Sequence, residues 1–310
     1  MTLAPPEPAL GFMWLEITGK CQLECTHCYA DSGPGGTHGS MSYSDWIAAI
    51  DQAEELGTSM IQFIGGEPTL YVGLPGLVTH ALSLGIEVEV YSHLVHVTPA
   101  LWELFARPGV RLATSYYTDD PGQHQKITGR NTLRHTRANI AQAAAKGIPL
   151  RVGIIDLGDG QRIAEAEADL AELGATNVSI DRMRLLGRPA QRACDASELC
   201  GNCGDGIAAI LPDGSVTPCP LSRWMSAGNL ATKPLAELAA GVRALAATDI
   251  RPALPHACKP PCEPQCTPGC NPGVNAPGGG DGCMPQKNCN PNQSCKPKTP
   301  CRPDVSCKPR

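Results

Sequence analysis

From residue 12 to about residue 182 the chain alternates short strand-like runs with helix-like segments, and this alternation limits the folds open to it. Strands are expected at 12–18, 59–64, 86–91, 110–116, 148–155 and 176–181. Helices are expected at 44–56, 74–84, 99–106, 131–146 and 160–173. Ser44 and Asp45 ahead of Trp46-Ile47-Ala48-Ala49-Ile50 mark a helix start. Gly57, Gly85, Gly147 and Gly174 each follow a helical run, where a left-handed cap favours glycine. Six strands joined in this way imply an α/β chain on a parallel sheet with right-handed crossovers. An open barrel, a closed barrel and a doubly wound sheet all satisfy the pattern. In a barrel, reactive groups gather at the C-terminal ends of the strands.

The first strand leads into Cys21-Gln22-Leu23-Glu24-Cys25-Thr26-His27-Cys28, three thiols in C-x3-C-x2-C spacing. Three thiolates on one short loop can hold three corners of a 4Fe–4S cluster and leave the fourth iron open to a small molecule. A structural zinc site wants a fourth ligand at close spacing. His27 and His38 are the near candidates, and His27 is wedged too tightly between Cys25 and Cys28 to close the same metal easily. The second strand ends in Gly65-Gly66-Glu67-Pro68, where glycines allow close backbone approach to a ligand and a carboxylate can pair with an ammonium. The remaining strand ends offer Tyr91-Ser92-His93, Ser115-Tyr116-Tyr117, the run Arg151 to Asp156, and Asp181-Arg182-Met183-Arg184. His93 and His96 form H-x2-H, but a strand end sends them to opposite faces, so structural or substrate-contact roles are expected rather than a metal site. Thr118-Asp119-Asp120-Pro121-Gly122 is expected as a loop.

The thiol loop and Gly65–Pro68 together resemble the radical S-adenosylmethionine (SAM) enzymes. The resemblance implies a partial (β/α)6 barrel over residues 1–190. It implies a cluster on Cys21, Cys25 and Cys28, whose open iron binds the amino and carboxylate groups of SAM. Gly65, Gly66, Glu67 and Pro68 would run beside the methionine moiety. Ser92, Ser115 and the strand-five segment would lie near the ribose, adenine or carboxylate, with His27 and Tyr29 flanking the third thiol. The reduced cluster would cleave SAM to methionine and a 5′-deoxyadenosyl radical, which takes a hydrogen from an unactivated substrate carbon.

A second cysteine group begins at Cys200-Gly201-Asn202-Cys203 and continues through Ile210-Leu211-Pro212-Asp213-Gly214 to Cys219. Pro212-Asp213-Gly214 is a hairpin turn that folds Cys219 back toward Cys203. A zinc-ribbon site is one reading of these thiols. The spacing C-x10-G-x4-C also resembles the SPASM or twitch extension of radical SAM enzymes, here expected over residues 191–257. That resemblance implies one or two auxiliary 4Fe–4S clusters. Cys258, Cys262, Cys266 and Cys270 are the candidates to complete them, and Cys194 is equally a ligand or a bystander. Arg184-Leu185-Leu186-Gly187-Arg188 resembles the Gly-Arg segment that precedes such domains.

From residue 258 to the end, each of nine cysteines is followed by any residue and then proline, with a period of six from Cys283 onward. Proline throughout excludes helix and central strand, and few large apolar residues are present to build a core. This irregular tail is read as a metal-loading or cluster-supporting segment, a disordered appendage, or a fused substrate modified in cis.

Sixteen cysteines in a chain of 310 residues without an export signal favour metal binding over disulfides. A net charge of −5 argues against a nucleic-acid partner, and no apolar run approaches a membrane span, so a cytoplasmic protein is expected. The leading expectation is an oxidoreductase-type radical SAM enzyme that modifies a ribosomally made peptide. About ten residues precede the first strand, so a separate leader-binding protein is expected to present the peptide. Flavodoxin or ferredoxin would serve as reductant. A small-molecule biosynthetic intermediate as substrate, or an iron–sulfur and metal-handling protein, are the alternatives.

Overall fold

The computed structural model describes residues 10–158, 160–190 and 193–253. The Cys-x-Pro tail, with Cys258, Cys262, Cys266 and Cys270, lies outside the described residues. Six parallel strands follow one another across a sheet: β1 (Phe12–Glu16), β2 (Met60–Ile64), β3 (Glu87–Tyr91), β4 (Val110–Tyr116), β5 (Leu150–Asp156) and β6 (Asn177–Arg182). Between them run α1 (Tyr43–Glu55), α2 (Leu74–Ser83), α3 (Pro99–Phe105), α4 (Pro121–Thr128), α5 (Leu133–Ala145) and α6 (Ile163–Glu172). β7 (Ile207–Ile210) then joins the other side of β1, also parallel, and β8 (Ser215–Thr217) and β9 (Gly228–Asn229) extend the sheet antiparallel. α7 (Leu235–Leu245) completes the described chain's regular helices.

One element departs from expectation. The segment from Pro121, read from sequence as loop, is helix α4. Its start is set by local chemistry: Asp120 Oδ1 accepts the Gln123 amide at 2.6 Å, and Pro121 occupies the first turn. Gly129, at φ 75°, ends it in the left-handed region.

The strands divide their side chains sharply between two faces. Partners in register share a face. Met13, Leu15, Ile61, Phe63, Val88, Val90, Leu112, Val152 and Ile154 point outward and pack with Trp46, Ile50, Leu77, Phe105 and Ile140 of the helices into the main core. The register of Trp14 and Gln62 points inward and carries Glu89, Tyr91, Ser115, Arg151 and Asp181. A parallel sheet buried on both faces is usually apolar on both. The polar inner face therefore marks the side where the chemistry sits.

Across the inner face, Gln62 Nε2 donates to Glu89 Oε1, and Arg151 Nη2 donates to the same oxygen at 2.9 Å. Glu89 and Arg151 are both buried. Removing one partner of a buried pair leaves an uncompensated charge and costs roughly 3–5 kcal/mol. Arg151→Met is expected to lower the unfolding free energy by about that amount in urea denaturation, and Glu89→Gln in the same chain should recover at least half of the loss. Equal stabilities for the single and double variants would refute the pairing.

Candidate functional site

The C-terminal ends of the strands enclose a chamber of about 210 Å³. Its wall includes Cys21, Cys25 and Cys28 from the loop after β1, Gly65 and Gly66 after β2, Tyr91 at the end of β3 and His93 just beyond it. Ser115 lies near the end of β4 and Tyr117 just past it, and Asp181 to Arg184 run across the end of β6. Pro220 and Leu221, just past Cys219, close the chamber from the C-terminal side. Trp14, Gln62 and Ile155 come from the strands themselves.

The thiol loop has little regular structure and is held by its neighbours. Cys21 N–H donates to Gly33 O at 3.1 Å, Glu24 N–H to Thr128 O and Thr26 N–H to Ile127 O, both at 2.9 Å. Gly66 N–H and Glu67 N–H donate to Thr18 O and Lys20 O at 2.7 and 2.9 Å. A Cβ at Gly65, whose φ is 150°, would overlap Thr18 O, and one at Gly66 would overlap Lys20 O. The two glycines thus permit β2 to dock against the thiol loop as well as exposing backbone to the chamber. Arg188 fastens the other side. Its guanidinium donates to Cys25 O at 2.5 Å, to Ser32 O at 2.8 Å and to Asp31 Oδ1 at 2.9 Å, while its amide donates to Cys28 O at 2.9 Å.

Burial pushes the Cys25 thiol up to about 12, with the neighbouring Cys28 and Cys21 adding to the effect. Burial also raises Cys28. Buried thiols crowded together ionise only when a cation compensates them, which is the service an iron cluster provides. Among the described residues no three His, Cys, Asp or Glu side chains converge on a single-ion site. A four-iron cube holds each thiolate on its own iron, so the donor set fits the cube better than one ion.

The other sequence candidates divide. Tyr29 and Ser115 line the chamber, and Ser115 Oγ lies 3.0 Å from Tyr91 Oη. Ser92 is buried and accepts the Leu94 amide at 3.1 Å. Glu67 and Pro68 stand behind the wall. The fully buried Glu67 carboxylate accepts the Thr69 amide and hydroxyl at 3.1 and 2.8 Å and the His93 amide at 3.0 Å. His93 faces the chamber while His96 is exposed. His38 pairs with Thr18 Oγ1 at 2.8 Å. His27 Nε2 meets Tyr117 Oη at 3.1 Å, and burial, with Arg188, lowers this imidazole to about 4. Tyr116 instead faces outward to Asp169, and Asp119 pairs with Arg162 on the surface. Trp14 and Gln62 were not singled out by sequence; their inward register in β1 and β2 was the available signal.

The hairpin of β7 and β8 brings Cys203 Sγ to 3.1 Å from Cys219 Sγ, and Cys200 hydrogen-bonds with Cys203. All three are free thiols, Cys203 and Cys219 buried and Cys200 half-buried, whereas Cys194, also free, is exposed. The Cys200 and Cys219 sulfurs together hold the Cys203 thiol far above its ordinary value, again a donor set that calls for a cationic group.

Replacing Arg188 by alanine is expected to leave the barrel folded but to speed iron loss from reconstituted protein several-fold under chelator challenge. Arg188→Lys should not restore retention, because one ammonium cannot span Cys25 O, Ser32 O and Asp31 together. Iron and sulfide assays over time check both outcomes.

Comparison with known proteins agrees with this geometry. The family model described as the radical SAM superfamily matches residues 15–173, and the SPASM model, an iron–sulfur cluster-binding domain, matches residues 199–271. PqqA peptide cyclase of Xanthomonas campestris pv. campestris is 31% identical over 193 residues, covering 60% of this chain and 49% of that protein. The Streptomyces rochei PqqA peptide cyclase is 31% identical over 186 residues, covering 58% and 51%. The chain spans about half the length of the curated relatives it matches. Among solved structures, Streptococcus suis SuiB bound to S-adenosylmethionine superposes with a TM-score of 0.63 at 15% identity, over 76% of this chain and 68% of that one. Native anSMEcpe with bound AdoMet and Cp18Cys peptide gives 0.56 at 14% identity, over 73% and 79%. These two share its fold. By its three-thiol loop, its open parallel barrel and a model match over 15–173, this chain belongs to the radical SAM superfamily and carries a SPASM-type iron–sulfur domain.

Proposed function

We propose that this protein is a radical SAM enzyme that modifies a ribosomally made peptide. The observation that carries the reading is the convergence of Cys21, Cys25 and Cys28 with Gly65 and Gly66 on one chamber at the strand ends. Cys21, Cys25 and Cys28 would hold the SAM-binding 4Fe–4S cluster. Cys200, Cys203 and Cys219 would hold an auxiliary one. Bound there, a reduced cluster and SAM would supply a 5′-deoxyadenosyl radical able to take hydrogen from an unactivated carbon.

The chain's own residues bind, orient and exclude water. Gly65 and Gly66 bring backbone to the chamber wall, and Ser115 offers a hydroxyl beside Tyr91. Trp14, Ile64, Ile155, Met183 and Leu221 give the chamber an apolar lining around these groups. Arg184, bonded to Asp181 Oδ1 at 2.9 Å and to Glu198 O at 3.0 Å, reaches from the chamber toward Cys200. The chamber and the second thiol group therefore share a wall. A peptide as substrate is supported by the curated relatives, which are PqqA peptide cyclases, and by SuiB, solved with its precursor peptide SuiA. A separate leader-binding protein and a flavodoxin- or ferredoxin-type reductant complete the proposal.

Anaerobic reconstitution with an assay for 5′-deoxyadenosine tests the reading. The wild-type chain is expected to release deoxyadenosine under strong reductant, faster with its peptide, and the variant carrying Cys21→Ala, Cys25→Ala and Cys28→Ala to release none. No release from the wild type, or persistence in the triple variant, would sink it. Cys203→Ala is expected to lower bound iron by about four per chain while the SAM-responsive cluster signal survives. Iron analysis and electron paramagnetic resonance read that difference.

A further inference from the structure

His93 follows β3 and lines the chamber, where its side chain interacts with Cys21 and with Glu67. Its backbone is anchored twice. Its amide donates to Glu67 Oε2 at 3.0 Å, and its carbonyl accepts Thr136 Oγ1 at 3.0 Å. Its ring is oriented as well. Nδ1 accepts the Val95 amide at 3.2 Å, which puts the ring proton on Nε2. Nε2 lies 3.0 Å from Glu67 Oε2, but the approach is not aligned for a hydrogen bond. Nε2 therefore remains a buried donor without an aligned acceptor.

A buried N–H left in that state is destabilising. Glu67 relieves it by charge alone, because its Oε2, 3.0 Å away, is not aligned to accept from the ring. A second acceptor beside the ring is the sulfur of Cys21. At present that sulfur accepts one backbone amide, from Leu23 at 3.4 Å.

We infer that His93 is a positioning residue that donates its Nε2 proton as a hydrogen bond to the Cys21 thiolate, and so sets how readily the cluster on that loop is reduced. The inference rests on the proposed assignment of Cys21, Cys25 and Cys28 as cluster ligands. A donor to a ligand sulfur stabilises the more negative, reduced cluster and raises its potential. Glu67 acts through His93: it fixes the imidazole by the backbone amide and by its nearby charge. This gives the buried acid of Gly65–Pro68 a role other than contact with the cofactor.

The test uses the full chain with His93→Phe, which removes the donor, and His93→Gln, which retains one. Each is reconstituted anaerobically, iron and sulfide are counted, and the reduction midpoint is followed through the paramagnetic signal that responds to added SAM. His93→Phe is expected to keep the wild-type iron content but to shift the reduction equilibrium tenfold or more toward the oxidised cluster. For a one-electron couple that is about 59 mV more negative. His93→Gln should recover most of the shift. An unchanged midpoint in His93→Phe at equal iron, or an equal shift in both variants, would overturn the inference. A wild-type chain with no SAM-responsive cluster would overturn the ligand assignment and the inference with it, and the iron count separates that failure from the others.

Discussion

Everything at the reactive end of the barrel depends on how a loop with almost no secondary structure is held. Residues 18–33 carry three thiols whose relative placement matters, yet within itself the loop has one β-bridge, Lys20 against Gly33, and a few short-range turn bonds such as Cys28 N–H to Cys25 O and Asp31 N–H to Cys28 O. Its long-range order comes from outside. Gly66 and Glu67 grip its start, Ile127 and Thr128 its middle, and Arg188 its later part. Each such hydrogen bond is worth about 1 kcal/mol net. Their combined effect is geometric, because they tie the loop to elements as far apart in sequence as β2 and the segment after β6. The placement of the thiols therefore depends on distant parts of the barrel.

This dependence explains what could be read from the chain directly. The alternation of Gln62 between Ile61 and Phe63, or of Glu89 between Val88 and Val90, already states which face meets the helices. The three thiols and the Gly65-Gly66 pair declare themselves by spacing. Helix α4 was missed because Asp120-Pro121-Gly122 serves a turn and a capped helix start equally well, and only Gly129 at the far end decides between them. The destination of Glu67 was not legible either. Its partners, Thr69 and His93, are a neighbour and a residue one βα unit away, and local pattern says nothing about which a buried acid will choose. Arg188 lies more than 150 residues from the carbonyls it grips.

The C-terminal domain is built onto the same sheet rather than appended to it. β7 pairs with β1 in parallel register, Phe12 against Ile207 and Trp14 against Ala209. Glu16, at the end of β1, pairs with Arg223 four residues beyond Cys219. Burial raises the Glu16 carboxyl, and the Arg223 guanidinium opposes that effect. A buried acid at the last residue of β1 therefore needs the C-terminal domain in place. Both thiol groups are positioned from one strand: the first by its exit loop, the second by its edge partner.

The inner layer below the chamber completes the picture. Gln62 lines the chamber, while Glu89 and Arg151, to which it is joined, line a cavity toward the opposite end of the strands. The layer is thus a partition. An apolar layer of similar volume would stabilise the barrel at least as well, since desolvating an ion pair offsets most of its attraction. What a charged partition adds is directional restraint: Arg151 also lies 5.4 Å from the Tyr91 ring centroid, and Tyr91 in turn meets Ser115. The hydroxyls at the chamber floor are therefore held by a network anchored in the barrel's interior. Apolar contacts alone would leave those side chains free to turn, whereas paired polar groups fix both where they sit and which way they point.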